Sequence, residues 1–397
     1  MTETQLDVFS HLVERKGGVV LREEFRPWQP RKAEPDRRHP VDTVVSELRK
    51  LLPKEVAIKT VWGRGYRLSN SVPVTEVAGI SVPRAVQARI IGLDRMNIHT
   101  LQSLRASIEK YEEVLREGPD ADAYANLAMC YINEGHVGFC RDFPQRTILK
   151  ARALLDEALR HYPHFSSVYA LRGLTHLIFD YDWKRAESGI ADALQLNEDD
   201  EYAHVIAAHM EVSRGNFDLG LTHARRAAEL DWRSPMTVFT APWMLVFSGR
   251  AGEAINEAER AIKDFDPFAV GHIICGYAWE SNGMPEQAIT EYKRSLDIAP
   301  FPDAFASLGH ASAIAGDKRA ARSYLAKLQT FEGIAYVSGY LEALVYVGLG
   351  DHPHALEALE RSYQEKCDWL IYLKVEPRWQ PLRHEKRFQS LLRKVGL

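Results

Sequence analysis

A glycine recurs along most of this chain with a nearly constant period, and this repeat restricts the possible folds more than any other feature. Gly215, Gly249, Gly283, Gly316 and Gly350 are spaced by 34, 34, 33 and 34 residues. Five residues after each of them stands another small residue, in order Gly220, Ala254, Ala288, Ala321 and Ala355. A fixed period of this length indicates an array in which one supersecondary unit stacks on the next.

Each unit is predicted to contain two helices joined at the glycine. After the glycine, small or apolar residues recur at intervals of four and seven positions, as in Ala288, Tyr292 and Ser295. A second helical pattern precedes the next glycine, for example at Phe305 and Leu308. Small residues at the crossing points would let the two helices approach closely.

The pattern predicts about seven helix pairs from 121 to 366, preceded by a lone helix around 100 to 118. The first pair carries about eleven extra residues between its helices. These units resemble the tetratricopeptide repeat, and the resemblance covers about two thirds of the chain. It implies a right-handed superhelix whose concave surface binds a protein, a peptide or a small effector.

The tail, 367–397, does not follow the period and is rich in apolar residues such as Trp369, Trp379 and Phe388. It resembles the closing segment of bacterial repeat proteins that couple such arrays to signalling or DNA-binding heads. Because a terminal repeat leaves an apolar face uncovered, we predict that this segment is a cap.

Residues 1–70 lack the period and predict a separate head. An apolar helical face runs from Leu6 to Val13, a short helix from Leu21 to about Phe25, and a longer apolar stripe from Val41 to Leu52. Ile58–Leu68 then alternates around two glycines, which predicts a β-hairpin with a glycine-bearing tip. Three helices followed by a hairpin is the order of a winged helix-turn-helix.

Val41–Lys50 and Ile58–Leu68 resemble the recognition helix and wing of the OmpR-type DNA-binding domain. The resemblance implies that Thr43, Val44, Ser46 and Glu47 face base edges. Arg49 and Lys50 would contact bases or phosphates, and Arg64 the adjacent minor groove. The side chains that would anchor phosphates are His39, Lys59 and Thr60. Arginine can read guanine with two hydrogen bonds and valine can pack on a thymine methyl group.

The head departs from its relatives in two ways. They usually carry a small antiparallel sheet before the first helix, whereas here Met1 lies almost directly on that helix, so either the start codon is misplaced or the head has lost a layer of its core. They also often have a basic residue where this chain has Glu47. A carboxylate there weakens phosphate attraction but can accept a hydrogen bond from cytosine. We expect no phospho-accepting receiver domain ahead of residue 1, so the regulatory input is expected to come through the repeats.

The predicted fold is mainly α, a winged helix followed by an α-solenoid of tetratricopeptide-like helix pairs. The predicted domains are the winged helix at 1–70, a linker with the start of the first helix at 71–99, the repeats at 100–366 and the cap at 367–397.

Charge is distributed unevenly along the chain. Residues 1–70 carry a net charge of +4, whereas the remaining residues carry −8. Only the head is therefore expected to approach a polyanion.

Composition excludes several classes of protein. With 46% hydrophobic and 26% charged residues, the chain reads as globular, and its longest uncharged stretch, Ser234–Gly249, is too short to span a bilayer. No signal peptide is recognisable, so we expect a cytoplasmic protein. The scattered cysteines, Cys130, Cys140, Cys275 and Cys367, are predicted to be free and mostly buried thiols.

No residue pattern predicts catalysis, a metal site or a cofactor. His161/His164 and His352/His354 lack the spacing of a helical zinc site. Ser107 and Lys110 form a Ser-x-x-Lys pair without companion motifs, and Asn197–Glu201 is most simply a loop between repeats.

The sequence therefore predicts a transcriptional regulator that binds double-stranded DNA through its head, and not an enzyme. The alternative is an interaction scaffold whose head no longer binds DNA. A homodimer is a further hypothesis, because a single small head covers few base pairs.

Overall fold

The computed structural model describes residues 20–21, 45, 57–61, 65–69, 101–231, 234–265, 267–331 and 334–397. The chain divides into two compact units, Met1–Asp94 and Arg95–Leu397, which we call the head and the body.

The described part of the head is a three-stranded antiparallel sheet in the order β1-β3-β2. Its strands are β1 (Val20–Leu21), β2 (Ala57–Val61) and β3 (Gly65–Ser69). β2 and β3 form the predicted hairpin, in which Lys59 lies opposite Arg67 and Thr60 opposite Tyr66.

The sequence prediction was wrong at one position of this sheet. Leu21 was predicted to begin a short helix, but it lies in β1 and pairs with Gly65. The free edge of β3 exposes backbone N–H and C=O groups, and pairing with β1 satisfies part of that edge. Val45 is helical and fully buried, as the apolar stripe from Val41 to Leu52 predicts.

The described part of the body is helical. A single helix, α1 (Leu101–Glu117), precedes seven helix pairs. In chain order the pairs are α2 (Ala121–Gly135) with α3 (Pro144–His161), α4 (Ser166–Thr175) with α5 (Trp183–Leu196), α6 (Glu201–Arg214) with α7 (Phe217–Leu230), α8 (Pro235–Phe247) with α9 (Ala251–Phe265), α10 (Ala269–Ser281) with α11 (Pro285–Ile298), α12 (Pro302–Ile314) with α13 (Lys318–Gln329), and α14 (Gly339–Leu349) with α15 (His352–Gln364). The number of pairs agrees with the sequence prediction.

The glycines of the 34-residue period end the first helix of their pairs. All five have positive φ, between 73° and 97°. At Gly215 the next N–H, that of Asn216, donates to the carbonyl of Glu211, which is the hydrogen bond of a left-handed helix terminus. Glycine is suited to this conformation because it has no Cβ to clash with the backbone.

The residues predicted to lie at helix crossings are buried. Ala288, Tyr292 and Ser295 of α11 are completely inaccessible to solvent. In the second pair, a Cβ on Gly189 of α5 would lie 3.0 Å from the Cα of Gly173 in α4, so the two helices pass almost in backbone contact. Small residues therefore set the helix separation, as the sequence pattern indicates.

The first helices of successive pairs also contact each other and form an inner layer, in which α10 and α12 meet through side chains such as Tyr277 and Asp303. Within the described residues, the second helices of different pairs make no comparable contact with one another. We call the surface of this layer that points away from the second helices the inner face. A short π-helical segment, His176–Asp180, extends α4, and Tyr181 then turns the chain in the left-handed conformation at φ 55°.

The loop between α2 and α3, 136–143, joins the first pair to the end of the array. Elsewhere the two helices of a pair are separated by two or three residues, apart from the π-helical extension of α4. In this loop the carbonyl of Cys140 accepts from the N–H of Ala335 at 2.7 Å, and Phe143 stacks on Tyr336 with ring centroids 4.9 Å apart. The array is therefore closed on itself.

The four cysteines are free and buried, which confirms the sequence prediction. Burial raises the pKa of the Cys275 thiol to about 12, so it is protonated at neutral pH. None of the helices among the described residues has the length and apolar character needed to cross a membrane.

Candidate functional site

Most residues predicted to contact DNA lie outside the described residues: His39, Thr43, Val44, Ser46, Glu47, Arg49, Lys50 and Arg64. The structure places Lys59 and Thr60 next to each other on β2, in the hairpin that the resemblance identifies as the wing.

The apolar part of the tail lies along the inner face of the body. It forms two short 3₁₀ helices, Asp368–Tyr372 and Pro377–Leu382. The ring of Trp369 is within 6.0 Å of the rings of Trp243 on α8, Tyr277 on α10 and Tyr340 on α14. One tryptophan thus contacts the first helices of three different pairs.

Hydrogen bonds attach the same segment to the beginning of the array. The N–H of Val137 donates to Asp368 Oδ1 at 3.1 Å, and the hydroxyl of Tyr181 donates to the carbonyl of Cys367 at 2.9 Å. Further along, Lys374 Nζ donates to the carbonyl of Arg214 at the end of α6. The tail therefore connects pairs that are distant in sequence.

A buried ion pair lies in the middle of this segment. Arg378 Nε donates to Glu376 Oε1 at 2.8 Å, and both side chains are at most 5% exposed. The guanidinium also lies over the ring of Tyr277 at 4.2 Å and donates to Ser307 Oγ at 3.3 Å. Burial lowers the pKa of Arg378, but Glu376 outweighs this effect and the pKa is raised above its ordinary value.

Acidic groups from the first helices surround this pair. Tyr277 donates to Asp303 at 2.7 Å, and burial raises the pKa of Asp303. His310 and Glu280 form a second buried pair, 2.5 Å apart. Burial raises the pKa of Glu280, but His310 and Arg378 outweigh it, and the pKa lies below the ordinary value.

His209 lies at the other end of the tail contact. Its Nδ1 is 2.6 Å from the hydroxyl of Tyr372, and its ring meets Trp243 edge to face at 5.3 Å. Burial, together with the nearby His136, lowers the pKa of His209 to about 4. The imidazole is neutral at pH 7.

The loop of the first pair also contacts the tail, through a histidine and an aspartate. His136 Nε2 lies 3.2 Å from Asp368 Oδ2 and accepts from Trp369 Nε1 at 3.1 Å. Burial raises the pKa of Asp368, and His136 opposes that effect. These groups, like the Glu376–Arg378 pair, hold the tail against the array.

The inner face is the surface on which the sequence places an effector or peptide, and in this structure the chain's own tail occupies it. Trp369 and Trp379 are buried there, at 3% and 0% exposure. The final helix, α16 (Lys386–Val395), does pack on α15 as a cap would. The predicted cap is therefore only part of what the tail does.

Sequence reasoning did not find Glu376 and Arg378, because their pairing depends on where the tail lies. The available signal was the run Trp369–Leu373, which is too apolar for a solvent-exposed terminus and follows no helical period. Such a run requires an apolar surface to cover it.

The remaining sequence motifs have structural contacts. His161 pairs with Glu157, and His354 with Asp351. In the predicted loop Asn197–Glu201, Asp200 accepts from Ser166 Oγ, Ser167 Oγ and the N–H of Ala203. Within the described ranges, no three histidine, cysteine or acidic side chains are grouped to hold a metal.

Residues 1–68 match the family model described as "Transcriptional regulatory protein, C terminal". This match agrees with the OmpR-type resemblance drawn from Val41–Lys50 and Ile58–Leu68. A comparison with curated proteins finds no match.

Solved structures resemble the chain in fold. A monomeric mutant of IFIT1 with Gppp-AAAA has a TM-score of 0.52 and 10% identity, covering 100% of this chain and 95% of that chain. The APC/C hetero-tetramer Cut9-Hcn1 has a TM-score of 0.51 and 15% identity, covering 78% and 55%. A tetratricopeptide repeat protein from Parabacteroides merdae has a TM-score of 0.45 and 12% identity, covering 67% and 99%. The body is a helical repeat array of the tetratricopeptide-like kind.

Proposed function

We propose that this chain is a DNA-binding transcriptional regulator, in which the head binds promoter DNA and the body receives the regulatory input. The observation that carries the proposal is the match of residues 1–68 to the transcriptional-regulator family. The net charge of +4 on residues 1–70 also supports it, because phosphate contacts supply much of the affinity of such domains.

In this proposal Thr43, Val44, Ser46 and Glu47 read base edges. Arg49 and Lys50 contact bases or phosphates, and Arg64 enters the minor groove beside them. Lys59 and Thr60, on β2, bind phosphates together with His39. Phosphate contacts fix the position of the protein on DNA, and base contacts determine the sequence that it prefers.

The body binds a protein, peptide or small effector and carries out no reaction. Stacked helices offer a large surface and rigid side chains, which suit recognition. Because the tail fills the inner face, the effector binds to the outer surface unless the tail leaves the inner face.

The test is binding of the full chain to genomic fragments, its own promoter included, at several salt concentrations. We expect a specific fragment to be retained near physiological salt, with an affinity that falls steeply as salt rises. Arg49→Ala and Arg64→Ala should abolish that specificity without changing the thermal unfolding of the body.

The control is Arg225→Ala, which removes a cation from α7 that is already 3.6 Å from Glu257. It should bind DNA as the unchanged protein does. If no fragment is retained even at low salt, the regulator proposal is wrong and the chain is an interaction scaffold.

The proposal includes a homodimer, so that two heads bind two half-sites. Mass measurement with and without the retained fragment checks it. A monomeric mass in both conditions would exclude the dimer while leaving DNA binding intact.

A further inference from the structure

Helix α13 presents an exposed basic surface on a body whose net charge is negative. Lys318, Arg319, Arg322 and Lys327 are all exposed, and the helix contains no acidic residue. At 100° per residue, Lys318, Arg319 and Arg322 fall within about 100° of each other around the helix axis. They form one patch, which we call the α13 patch.

The cations of this patch form no ion pair with any other described residue. Some cations on the other outer helices form ion pairs, whereas others, such as Arg260 on α9, pair with no acidic residue in the described part of the chain. Arg225 and Arg226 on α7 pair with Glu257 and Asp199, and Arg294 on α11 pairs with Glu291. The three adjacent charges of the α13 patch are thus not neutralised by the described residues, unlike those of these three arginines.

The repeat gives a second, independent observation. One residue after the small residue of the period, the outer helices carry an aliphatic side chain: Leu221, Ile255, Ile289 and Leu356. In α13 this position is Arg322, and it is exposed. α13 packs less extensively on the first helix that follows it than do α7, α9 and α11, as α3 and α5 also do.

The first turn of α13 also carries a cation where two other outer helices carry an acidic residue. Asp218 and Glu286 stand two residues before the period residue in α7 and α11, where α13 has Arg319. Cations near a helix N-terminus oppose the helix dipole, and like charges four residues apart, such as Lys318 and Arg322, repel each other. The α13 patch therefore does not stabilise the fold, and a polyanion outside the body would explain it.

We propose that the α13 patch binds the phosphate backbone of duplex DNA outside the segment that the head recognises. This inference rests on the proposed function, which brings DNA to the chain. The net charge of −8 on residues 71–397 repels DNA elsewhere, so a local basic surface is required for the body to contact it. Exposed, flexible cations suit phosphates, which need charge more than exact geometry.

The test compares the unchanged full chain with Arg319→Gln/Arg322→Gln on the fragment that the unchanged protein retains. We expect the slope of log affinity against log salt to become shallower by about two, with a similar fractional loss on specific and unrelated sequences. On a duplex trimmed to the head's own site, the two proteins should bind alike.

Two controls separate charge from structure. Arg225→Gln/Arg226→Gln changes the net charge equally but removes cations that are already paired, and it should leave the slope unchanged. Arg319→Lys/Arg322→Lys keeps the charge and should retain the original slope.

An unchanged slope for the glutamine variant, while the unchanged protein binds DNA, would overturn the inference and point to an acidic protein surface instead. If the unchanged protein binds no DNA at all, the proposed function itself fails. The Arg49→Ala and Arg64→Ala variants are compared with Arg319→Gln/Arg322→Gln in the same assay. If the head variants lose sequence preference while the α13 variant keeps the original salt slope, DNA contacts the head alone.

Discussion

Glycine has two different roles in this array, and single substitutions distinguish them. Gly283 ends α10 at φ 76° with no atom within 4 Å of the position of a Cβ. Gly276, about two turns earlier, has ordinary helical backbone, but a Cβ there would overlap the buried ring of Tyr292. The first glycine is needed for its backbone conformation and the second for the space beside it.

We predict that Gly283→Ala lowers the free energy of unfolding by roughly 1–2 kcal/mol, the cost of left-handed backbone for a residue with a Cβ. Gly276→Ala should cost about 1–3 kcal/mol or more, because Tyr292 has no room to move. Urea unfolding of both variants measures this. Replacing Tyr292 by leucine should rescue Gly276→Ala and leave Gly283→Ala unchanged; rescue of both would contradict the assignment.

His209 predicts how stability depends on pH. Its pKa in the folded chain is about 4, below the 6.5 of the unfolded chain, because burial disfavours the imidazolium. Between these values the unfolded state binds more protons, so stability is complete above pH 6.5 and falls as the pH decreases towards 4. At about 1.4 kcal/mol per pKa unit, the loss is at most about 3.5 kcal/mol.

Glu201 works in the opposite direction in an overlapping range, since burial raises its pKa to about 7. The pH profile of the unchanged protein therefore contains both effects. The difference between the unchanged protein and His209→Gln isolates the histidine. We expect that difference to shrink as the pH falls from 6.5 to 4; a constant difference would show that His209 is not the titrating group.

At the scale of single elements, the tail determines how the body ends. An ordinary cap covers one terminal helix pair, as α16 does, but Asp368–Leu382 contacts the first helices of several pairs. Burying a charged pair costs desolvation energy, and good geometry is needed to recover it. The Glu376–Arg378 pair recovers it through two direct hydrogen bonds at 2.8 and 3.1 Å and through the Tyr277 ring.

We predict that Arg378→Met alone destabilises the body by about 3–5 kcal/mol, since Glu376 is then buried without its cation. The double variant Glu376→Gln/Arg378→Met should lose much less. Thermal unfolding of Arg378→Met, Glu376→Gln and the double variant measures the coupling energy between the two side chains. Additive losses would mean that the two side chains are stabilised independently.

At the scale of the whole body, closure changes how the repeats unfold. An open array behaves as a chain of neighbours, so its terminal repeats open first. Here the loop 136–143 contacts residues 335–336, and Trp183 Nε1 donates to the carbonyl of Val395 at 2.6 Å. The first pairs and the tail therefore stabilise each other.

We predict one cooperative unfolding transition for the body and similar hydrogen-exchange protection of α2 and α14. Removing residues 367–397 should uncover the inner face, abolish the single transition and expose apolar surface that promotes aggregation. Faster exchange in α2 than in α8 of the intact protein would show that the array behaves as an open one.

The sequence by itself determined the helix pairs, their turns and their contacts with immediate neighbours. The 34-residue glycine period identified the turns between the helices of a pair, and the residues at Ala288, Tyr292 and Ser295 identified the buried face. These features depend on backbone geometry and on contacts between residues close in sequence. The same holds for the β2–β3 hairpin, whose pairing partners are six residues apart at Thr60 and four at Val61.

Only the tertiary structure decided where the tail lies and that the array closes. A segment such as Trp369–Leu373 must bury apolar surface, but that requirement does not specify which of several apolar surfaces covers it. The choice depends on the small rotation accumulated over seven pairs, which brings the loop 136–143 to residues 335–336 and leaves the inner face wide enough for two short 3₁₀ helices. Such a sum over many packing contacts is not encoded in any local pattern of residues.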